Sequence, residues 1–415
     1  MINRNIESTL VSLAKSYPVV TLTGPRQSGK TTLCRKAFPT KPYANLEAPD
    51  VRRFAMDDPR GFLSSFPDGG ILDEIQRAPD LLSYIQTLVD ERNVPDQFIL
   101  IGSQQFEIMN TISQSLAGRT ALLKLLPLTI SELQPAYLPE SLDRLILNGF
   151  YPRIYDQRLD PTRAMGDYFE TYVERDLRQL ISLKDISIFE RFVKLCAGRV
   201  GQILNLQSLG NDVGVSHSTT RSWITLLEAS YIVFLLRPWH ANISKRLIKS
   251  PKLYFYDVGL AAFLLGLETE NHVSRDPLRG NLFENMVVME ALKYRYNLGR
   301  RSNLFFYRSS NGNEVDLIME SGRDVIAIEI KAGATVNPDF FKGLQSFQKT
   351  VSGQRRVFSG ILYGGNEVQQ RSDVLIHPAV MCEELFNQFE KLAQDTAEFE
   401  RATTVFETVD KDMWK

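Results

Sequence analysis

The segment that most constrains the fold is residues 24–31, which read Gly-Pro-Arg-Gln-Ser-Gly-Lys-Thr. An apolar run at residues 18–23 precedes it, and residues 32–36 continue as a helix would. A strand, a G-x-x-x-x-G-K-[ST] loop and a helix together predict a phosphate-binding loop; the alternative is a glycine turn before an ordinary helix. Backbone N–H groups and the positive end of the helix dipole would surround the phosphates. The loop therefore predicts that the chain binds a nucleoside triphosphate.

The residues expected to contact this nucleotide are those of the loop and two others. Lys30 is expected to reach the β- and γ-phosphates, and Thr31 to bind Mg²⁺. The full set is Gly24, Pro25, Arg26, Gln27, Ser28, Gly29, Lys30, Thr31, Thr32 and Gln104.

Two carboxylates end the apolar run at residues 69–74, Gly-Gly-Ile-Leu-Asp-Glu. Asp73 is expected to complete the Mg²⁺ shell, and Glu74 to polarise the water that attacks the γ-phosphate. The alternative is a strand that ends in solvated acids. With a phosphate loop upstream, the pattern favours nucleotide hydrolysis.

Two further features extend the predicted nucleotide site. Residues 97–104 form another apolar run with polar residues at its end, so Ser103 or Gln104 is either a γ-phosphate sensor or a turn residue. Arg119 ends a helical stretch before the strand-like residues 120–126. It is either an arginine finger directed at a neighbouring subunit's nucleotide or a cation that pairs with helix carbonyls.

These motifs resemble the AAA-type P-loop ATPases of bacteria and archaea, in particular a subgroup with a long C-terminal region of uncharacterised function. The resemblance continues through residues 127–132, 149–153, 168–176 and 252–257. It implies ATP as the nucleotide, Mg²⁺ as the metal and an oligomer, with a hexamer as one form.

Composition sets broad limits on the chain. Its 415 residues are enough for several domains, and a net charge of −1 gives no global basic field for nucleic acid. Three widely spaced cysteines support neither a disulfide framework nor a zinc site. We expect a cytoplasmic protein without a membrane segment.

The middle of the chain is expected to be helical. A break at residues 134–139 ends the ATPase domain, and residues 161–183 have helical periodicity beside Arg163, Arg175 and Arg178. Residues 205–228 predict a helix-turn-helix, with the turn at Gly214 and a helix cap at Ser216. The strand-like residues 231–236 and 252–256 would complete a winged arrangement.

This predicted winged helix-turn-helix is a candidate DNA-binding module. Between residues 229 and 256 there are five cations, Arg237, Lys245, Arg246, Lys249 and Lys252, and no carboxylate. The expected DNA contacts are His217, Thr220, Arg221, Lys245, Arg246 and Lys249. The alternative is a packing or oligomerisation module.

The last part of the chain contains scattered acidic residues that a hairpin would bring together. Period-two alternation places Glu329 and Lys331 on one strand face, and a turn at residues 321–324 brings Asp316 close to them. Glu284, on a predicted helix, would complete an oxygen-rich site for Mg²⁺ or Mn²⁺, with Lys331 steadying the attacking water. Structural ion pairs on a half-buried sheet are the alternative.

These four residues resemble the pattern of the restriction-endonuclease-like superfamily, PD-(D/E)xK. The resemblance implies catalytic roles for Glu284, Asp316, Glu329 and Lys331, with Asp316 and Glu329 as metal ligands. Such domains also bind DNA without cutting it.

The predicted fold is therefore α/β, with an N-terminal P-loop ATPase built on a parallel sheet. The predicted parts are an ATPase domain (1–138), a helical connector (139–188), a winged helix-turn-helix (189–268), a nuclease-like α/β domain (269–380), and an acidic helix and tail (381–415). We expect an oligomeric ATP-driven motor that acts on DNA, with branched DNA as a substrate. The alternatives are an ATP-gated regulatory switch that binds proteins and a Mg²⁺-dependent nuclease coupled to ATP.

Overall fold

The computed structural model describes residues 2–103, 115–174, 186–240, 250–351, 353 and 355–394. The chain divides into two compact units. The first comprises Met1–Leu235, Leu253–Leu278 and Leu292–Ser302, and the second comprises Leu236–Lys252, Arg279–Ala291 and Asn303–Lys415. Both units mix helices and strands, which confirms the predicted α/β class.

The first unit contains a five-stranded parallel sheet with strand order β2-β3-β4-β1-β5. The strands are β1 Val19–Thr23, β2 Tyr43–Asn45, β3 Gly70–Asp73, β4 Phe98–Gly102 and β5 Thr120–Lys124. Every residue of β1, β3 and β4 is buried. Such near-continuous apolar runs are typical of parallel strands that are covered on both faces.

Helices cover both faces of this sheet. Val19 and Leu100 belong to one apolar cluster, and Val20 and Ile99 belong to a second, as strand alternation requires. The helices of this part are α1 Glu7–Ala14, α2 Lys30–Ala37, α3 Pro49–Asp57, α4 Pro59–Ser64, the 3₁₀ turn Ile75–Arg77 and α5 Leu81–Arg92.

The register of the sheet decides which sequence motifs meet. Thr23 at the end of β1 pairs with Gly102 at the end of β4, and Leu72 of β3 pairs with Leu100. The residues that follow these three strands therefore gather at one edge of the sheet, as ligand-binding residues do in α/β proteins. Val19 pairs with Thr120, so Arg119 lies at the opposite edge.

The rest of the first unit is helical, as predicted for the middle of the chain. Ser216 caps the second helix of the predicted pair, and Gly214 ends the first with a φ of 86°. The elements are α6 Ile130–Leu133, α7 Leu142–Asn148, α8 Pro152–Asp156, α9 Pro161–Tyr168, the π-helix Phe169–Glu174, α10 Ile186–Ala197, α11 Leu206–Val213, α12 His217–Ala229, α13 Val258–Leu264 and α14 Glu270–Arg275.

The long helix expected over residues 161–183 is described as far as Glu174. It ends as an α-helix at Tyr168 and continues as the π-helix. Arg175 and Arg178 lie outside the described residues. Among the described helices, none combines the length and apolarity that a bilayer crossing demands.

The second unit is built on a sheet in the order β12-β13-β11-β10-β9-β8, with Arg237 and Pro238 of β6 beside β8. Its strands are β8 Leu304–Arg308, β9 Glu314–Ser321, β10 Asp324–Lys331, β11 Val357–Tyr363, β12 Gln369–Arg371 and β13 Val374–Pro378. Three elements have residues in both units, because a boundary between the units falls within each of them. They are β6 Val233–Pro238, β7 Lys252–Phe255 and α15 Arg279–Asn297. The other helices are the 3₁₀ turns Pro338–Phe341 and Ala379–Met381, α16 Lys342–Val351 and α17, residues 382–394.

The predicted hairpin is present in this sheet. β9 and β10 pair antiparallel from Asp324 opposite Ser321 to Ile328 opposite Leu317. Helix α16 contributes Leu344 and Phe347 to the apolar cluster that also contains Val315 and Ala327 of the hairpin. The hairpin is therefore a buried part of the sheet.

Candidate active site

The phosphate loop requires its two glycines for steric reasons. Gly24 has a φ of 152°, and a Cβ there would lie 2.1 Å from the carbonyl oxygen of Leu125. Gly29 precedes α2 in the left-handed region, with a φ of 92°. Such conformations favour glycine because other residues carry a Cβ. The loop therefore leads directly from β1 into α2, as the motif predicts.

Lys30 lies folded back into the loop. Its Nζ donates hydrogen bonds to the carbonyl oxygens of Gly24, at 2.9 Å, and Pro25, at 2.7 Å. Burial lowers the pKa of Lys30 to about 8, although the carboxylates of Glu74 and Asp73 oppose that shift. A triphosphate would replace two carbonyl partners with anionic oxygens, and these would favour the ammonium form.

Asp73 lies within hydrogen-bond distance of Thr31. The Thr31 hydroxyl donates to Asp73 Oδ2 at 2.6 Å, and the Tyr43 hydroxyl donates to the same oxygen at 2.9 Å. The backbone N–H of Glu74 donates to Asp73 Oδ1 at 3.0 Å. A hydroxyl and a carboxylate are the oxygen ligands that Mg²⁺ takes beside nucleotide phosphates, so the donor set fits this ion. The role of Tyr43 carries no motif and was not predicted from the sequence.

Glu74 follows β3 in a left-handed backbone conformation, with a φ of 56°. Its Oε2 accepts a hydrogen bond from Ser103 Oγ at 3.1 Å and contacts the amide of Gln76. Ser103 therefore joins the ends of β3 and β4 at the nucleotide edge. Gln104, the other predicted sensor, lies outside the described residues.

A cavity of about 490 Å³ opens in front of these residues within the first unit. Loop residues and Glu74 line it together with residues from α8 and the π-helix. Its lining is Arg26, Gln27, Gly29, Lys30, Thr31, Thr32, Glu74, Pro152, Arg153, Asp156, Gln157, Thr171 and Tyr172. The volume lies within the range of small-molecule and cofactor sites.

Arg4 supports the phosphate loop from the protein interior. Its guanidinium donates to the carbonyl oxygens of Ser28 and Leu126, each at 2.7 Å, and to Glu132 Oε2 at 3.0 Å. Glu132 is itself fixed, because it accepts the backbone N–H groups of Asn5 and Thr129. Arg4 was not predicted from the sequence because an arginine that lies 20 residues before Gly24 carries no local signal.

Arg119 is paired inside its own chain. Its Nη2 donates to Asp90 Oδ2 at 2.8 Å, and its Nη1 donates to the carbonyl oxygen of Ala117 at 3.1 Å. It lies at the sheet edge opposite the phosphate loop, so it does not reach the nucleotide of its own chain. Its action on a neighbouring subunit stays a prediction.

The helix pair α11 and α12 places two of the predicted DNA contacts at the surface. His217 and Arg221 are exposed in the first turns of α12. Thr220 is instead fully buried, and its hydroxyl donates to the carbonyl oxygen of Ser216 at 3.0 Å. This corrects the expected role of Thr220, because its side chain packs inside the pair. Lys245, Arg246 and Lys249 lie outside the described residues.

In the second unit, the hairpin brings Asp316, Glu329 and Lys331 together as expected. Lys331 Nζ lies 3.1 Å from Asp316 Oδ2 and 2.6 Å from Glu329 Oε1. The backbone N–H of Ile330 also donates to Asp316 Oδ2, at 2.8 Å. One lysine therefore pairs with two buried carboxylates.

One of the two carboxylate oxygens of Glu329 has no hydrogen-bond partner. Glu329 is 6% exposed, and its Oε2 is buried without a hydrogen-bond partner. Burial, and then the charge of Asp316, raise the pKa of Glu329 to about 8. A buried carboxylate oxygen without a partner, beside a second carboxylate, has the chemistry of a ligand for a hard divalent cation.

Glu284 pairs with a lysine in the structure, and its charge is the last of the causes that raise the pKa of Glu329. Lys252 Nζ lies 2.8 Å from Glu284 Oε1 and also contacts Glu314. Burial alone would lower the pKa of Lys252, but the nearby carboxylates outweigh burial and raise it. In the described part of the chain, no three histidine, cysteine, aspartate or glutamate side chains form a metal-binding group. This corrects the three-carboxylate site, and it places Lys252 in an ion cluster rather than on a DNA-binding surface.

Three known families match the chain in succession. Residues 16–134 match an AAA domain, residues 139–271 match a domain of unknown function (DUF8612), and residues 279–385 match a domain of unknown function (DUF4143). With the phosphate loop, Asp73 and Glu74 at one edge of a parallel sheet, the N-terminal part is an ATP-binding P-loop ATPase domain of the AAA type. This confirms the predicted ATPase.

Two related proteins show the family to which the chain belongs. It is 33% identical over 334 residues to the uncharacterized proteins Rv2008c of Mycobacterium tuberculosis and Mb2031c of Mycobacterium bovis, an alignment that covers 79% of this chain and 73% of each relative. The chain belongs to the family of these two proteins. The Walker-type ATPase paby2304 of Pyrococcus abyssi is 16% identical with a TM-score of 0.40, over 64% of this chain and 96% of that one. A TM-score in that range does not establish a shared overall fold.

Proposed function

We propose that this chain hydrolyses ATP with Mg²⁺ and uses the hydrolysis to act on DNA. The observation that carries the proposal is the arrangement of Thr31, Asp73 and Glu74 at one edge of the sheet. Thr31 donates to Asp73 at 2.6 Å, and Glu74, the next residue, lines the cavity. These are the groups that phosphoryl transfer to water requires.

The residues have separate roles in this proposal. The loop N–H groups and Lys30 bind and orient the phosphates, while Thr31 and Asp73 would hold Mg²⁺, which neutralises phosphate charge when bound. Glu74 accepts a hydrogen bond from the attacking water and takes up its proton. Ser103 holds the Glu74 carboxylate through its hydroxyl. Replacing Glu74 by Gln should abolish turnover and leave nucleotide binding intact.

DNA is the proposed partner because of the exposed start of α12. His217 and Arg221 are exposed there, and residues 229–256 contain four cations besides the buried Lys252 and no carboxylate. Cations confined to one segment favour phosphate contacts on a chain whose net charge is −1. Branch migration, unwinding and junction processing by an oligomer are the forms of activity to test first.

ATP turnover with and without DNA tests this function. Forked, four-way and linear duplexes are each added to purified protein at low salt, and its mass in solution is measured in parallel. We expect turnover to rise with at least one branched form. The rise should be smaller in Arg221→Ala than in Arg60→Ala, a control at an exposed arginine of α4. Turnover that ignores every DNA, with no complex in a gel shift, would favour a regulatory switch that binds proteins.

A second candidate function is Mg²⁺-dependent cleavage of DNA by the second unit. The observation that favours it is the buried Glu329 Oε2 without a partner beside Asp316. Mg²⁺ commonly takes one or two carboxylates and completes its shell with water and phosphate oxygens. Asp316→Ala and Lys331→Ala should each abolish cutting and leave ATP turnover unchanged. Cutting that persists in both variants would identify another nuclease.

A further inference from the structure

The phosphate loop contains a second cation, Arg26, that the mechanism above does not use. It is half-buried, and its guanidinium carbon lies 5.5 Å from the centre of the Tyr172 ring, within the range of a cation–π contact. The charge of Arg26 is among the causes that lower the pKa of Lys30, so the two cations influence each other. Arg26 therefore lies close to the lysine that is expected to reach the γ-phosphate.

The cavity places Arg26 on the same side as the hydrolytic residues. Arg26, Lys30, Thr31 and Glu74 all line it. Because Arg26 belongs to the loop that encloses the phosphates, its backbone needs no rearrangement to face a bound triphosphate. A change of side-chain rotamer would therefore be enough to bring the guanidinium from the ring toward the cavity.

Tyr172 provides a fixed platform for the resting position of Arg26. The ring is 4% exposed and lies 5.2 Å from the ring of Tyr168. Its hydroxyl donates to the carbonyl oxygen of Ser230 at 3.1 Å. The aromatic ring is therefore held by two contacts. The side chain that would change position when ATP binds is that of Arg26.

We propose that Arg26 is a catalytic residue that acts on the nucleotide of its own chain. When ATP occupies the cavity, the guanidinium leaves the Tyr172 ring and donates hydrogen bonds to the γ-phosphoryl oxygens as charge develops on them. This role rests on the proposed ATP hydrolysis. A planar guanidinium suits it, since it both stacks on aromatic rings and binds phosphate oxygens in a bidentate manner.

The chemical step is an ordinary hydrolysis. The oxygen of a water molecule forms a bond to the γ-phosphorus, and the bond from that phosphorus to the β–γ bridging oxygen breaks. The proton released from water passes to solvent by way of Glu74, and the products are ADP and inorganic phosphate. Arg26 is not consumed, because it only stabilises charge.

Arg26 also answers a difficulty left by Arg119. Arg119 pairs with Asp90 at the opposite sheet edge, so it serves only a neighbouring molecule if it serves catalysis at all. With Arg26 as the stabilising cation, turnover per chain should not depend on protein concentration. Dependence on Arg119 would instead make turnover fall on dilution.

The experiment compares turnover with nucleotide affinity in wild type, Arg26→Gln, Arg26→Lys, Glu74→Gln and Arg35→Gln. Arg35 is the matched control, since its guanidinium carbon lies 5.1 Å from the Tyr43 ring but it is exposed on α2 and does not line the cavity. Steady-state kinetics give kcat, a fluorescent ATP analogue gives Kd, and trapping of ADP with aluminium fluoride and Mg²⁺ reports binding of a transition-state mimic.

We expect Arg26→Gln to lower kcat by roughly 100-fold or more and to prevent trapping of the mimic, with Kd for the ATP analogue changed by less than about threefold. Arg26→Lys should recover only part of the rate, and Arg35→Gln should behave as wild type. An unchanged kcat in Arg26→Gln would overturn the inference, as would an equal loss of ATP affinity and kcat/KM, which would make Arg26 a ground-state binding residue. A wild-type protein that binds ATP without hydrolysing it would instead refute the proposed function itself.

Discussion

The Thr31 hydroxyl donates a hydrogen bond of 2.6 Å to Asp73 Oδ2, although 42 residues separate the two along the chain. The first residues of α2 and the end of β3 therefore meet at the point where the proposed Mg²⁺ would bind. Tyr43 holds the same carboxylate oxygen through its own hydroxyl. This contact connects the phosphate loop to the residue that precedes Glu74.

Asp73→Asn tests this pair. The amide oxygen can still accept the Thr31 hydrogen bond, but the negative charge that would hold Mg²⁺ is lost. We expect the Mg²⁺ concentration for half-maximal ATP turnover to rise by at least about tenfold. A magnesium titration of turnover measures it, with Asp90→Asn at the opposite sheet edge as the control. An unaltered magnesium requirement in Asp73→Asn would contradict the assignment.

ATP affinity should depend on pH through Lys30. The pKa of this lysine is lowered to about 8, so the ammonium form is present below pH 8 and is lost above it. Phosphate binding favours the ammonium form, so binding above pH 8 requires uptake of a proton. Kd should be nearly constant from pH 7 to 7.5 and rise by up to about tenfold per pH unit above 8.

A fluorescent ATP analogue titrated between pH 7 and 9.5 checks this prediction. Lys30→Met is the control, because it removes the titrating group. Its binding should be weaker and should not change over the same range. A wild-type Kd that stays constant to pH 9.5 would show that Lys30 keeps its proton throughout.

Arg4→Ala should destabilise the first unit and loosen the phosphate loop. The change leaves the Glu132 carboxylate, which is fully buried, without its cation. The expected loss of unfolding free energy is about 3 kcal/mol. Lys36→Ala is the matched control, because the pair of Lys36 with Glu7 is 35% and 29% exposed and should contribute less than about 1 kcal/mol.

Denaturant unfolding of both variants measures these losses, and the ATP analogue measures the effect on binding. Arg4→Ala should bind ATP more weakly than Lys36→Ala, since Arg4 donates to the Ser28 carbonyl whereas Lys36 donates to Asn3 and Glu7. Equal stability of the two variants would mean that Glu132 finds other compensation.

Glu329→Gln should separate metal binding from structure in the second unit. Because the pKa of Glu329 is raised to about 8, the group is largely protonated near neutral pH without metal, so a neutral amide replaces it closely and the metal-free protein should be about as stable as wild type. Mn²⁺ should raise the Tm of wild type and leave that of Glu329→Gln unchanged. Thermal unfolding with and without Mn²⁺ checks this, and Glu367→Gln, at an exposed glutamate, is the control. Equal stabilisation of all three proteins by Mn²⁺ would place the metal elsewhere.

Thr220→Ala should affect the stability of the protein, whereas Arg221→Ala should affect its binding to DNA. Loss of the buried Thr220 hydroxyl should reduce the unfolding free energy by about 1 kcal/mol with little effect on DNA affinity after correction for folding. Loss of the exposed Arg221 should weaken DNA binding and reduce its salt dependence, with stability unchanged. Denaturation curves and gel shifts at two salt concentrations distinguish them. A weaker DNA complex in Thr220→Ala alone would reverse the assignment.

Much of the nucleotide site could be predicted from the sequence because its parts are local. Residues 24–31 are consecutive in the chain, and the spacing of the two glycines, the lysine and the threonine specifies a phosphate loop. Asp73 and Glu74 follow an apolar run that had to be a strand. The hairpin from Glu314 to Lys331 was predictable for the same reason, because period-two alternation and a turn set its register.

The tertiary structure decided the contacts between residues that are far apart in the sequence. Four such contacts follow from how separate elements pack. They are Arg4 with the phosphate loop, Tyr43 with Asp73, Tyr172 with Arg26, and Lys252 with Glu284 and Glu314. The amino-acid sequence by itself determined a phosphate loop, a parallel sheet and an acidic hairpin, since backbone sterics and hydrophobic periodicity act over a few residues. Only folding set the charge balance of each site, because electrostatic and hydrogen-bond energies depend on distance and burial, which side chains acquire when distant segments come together.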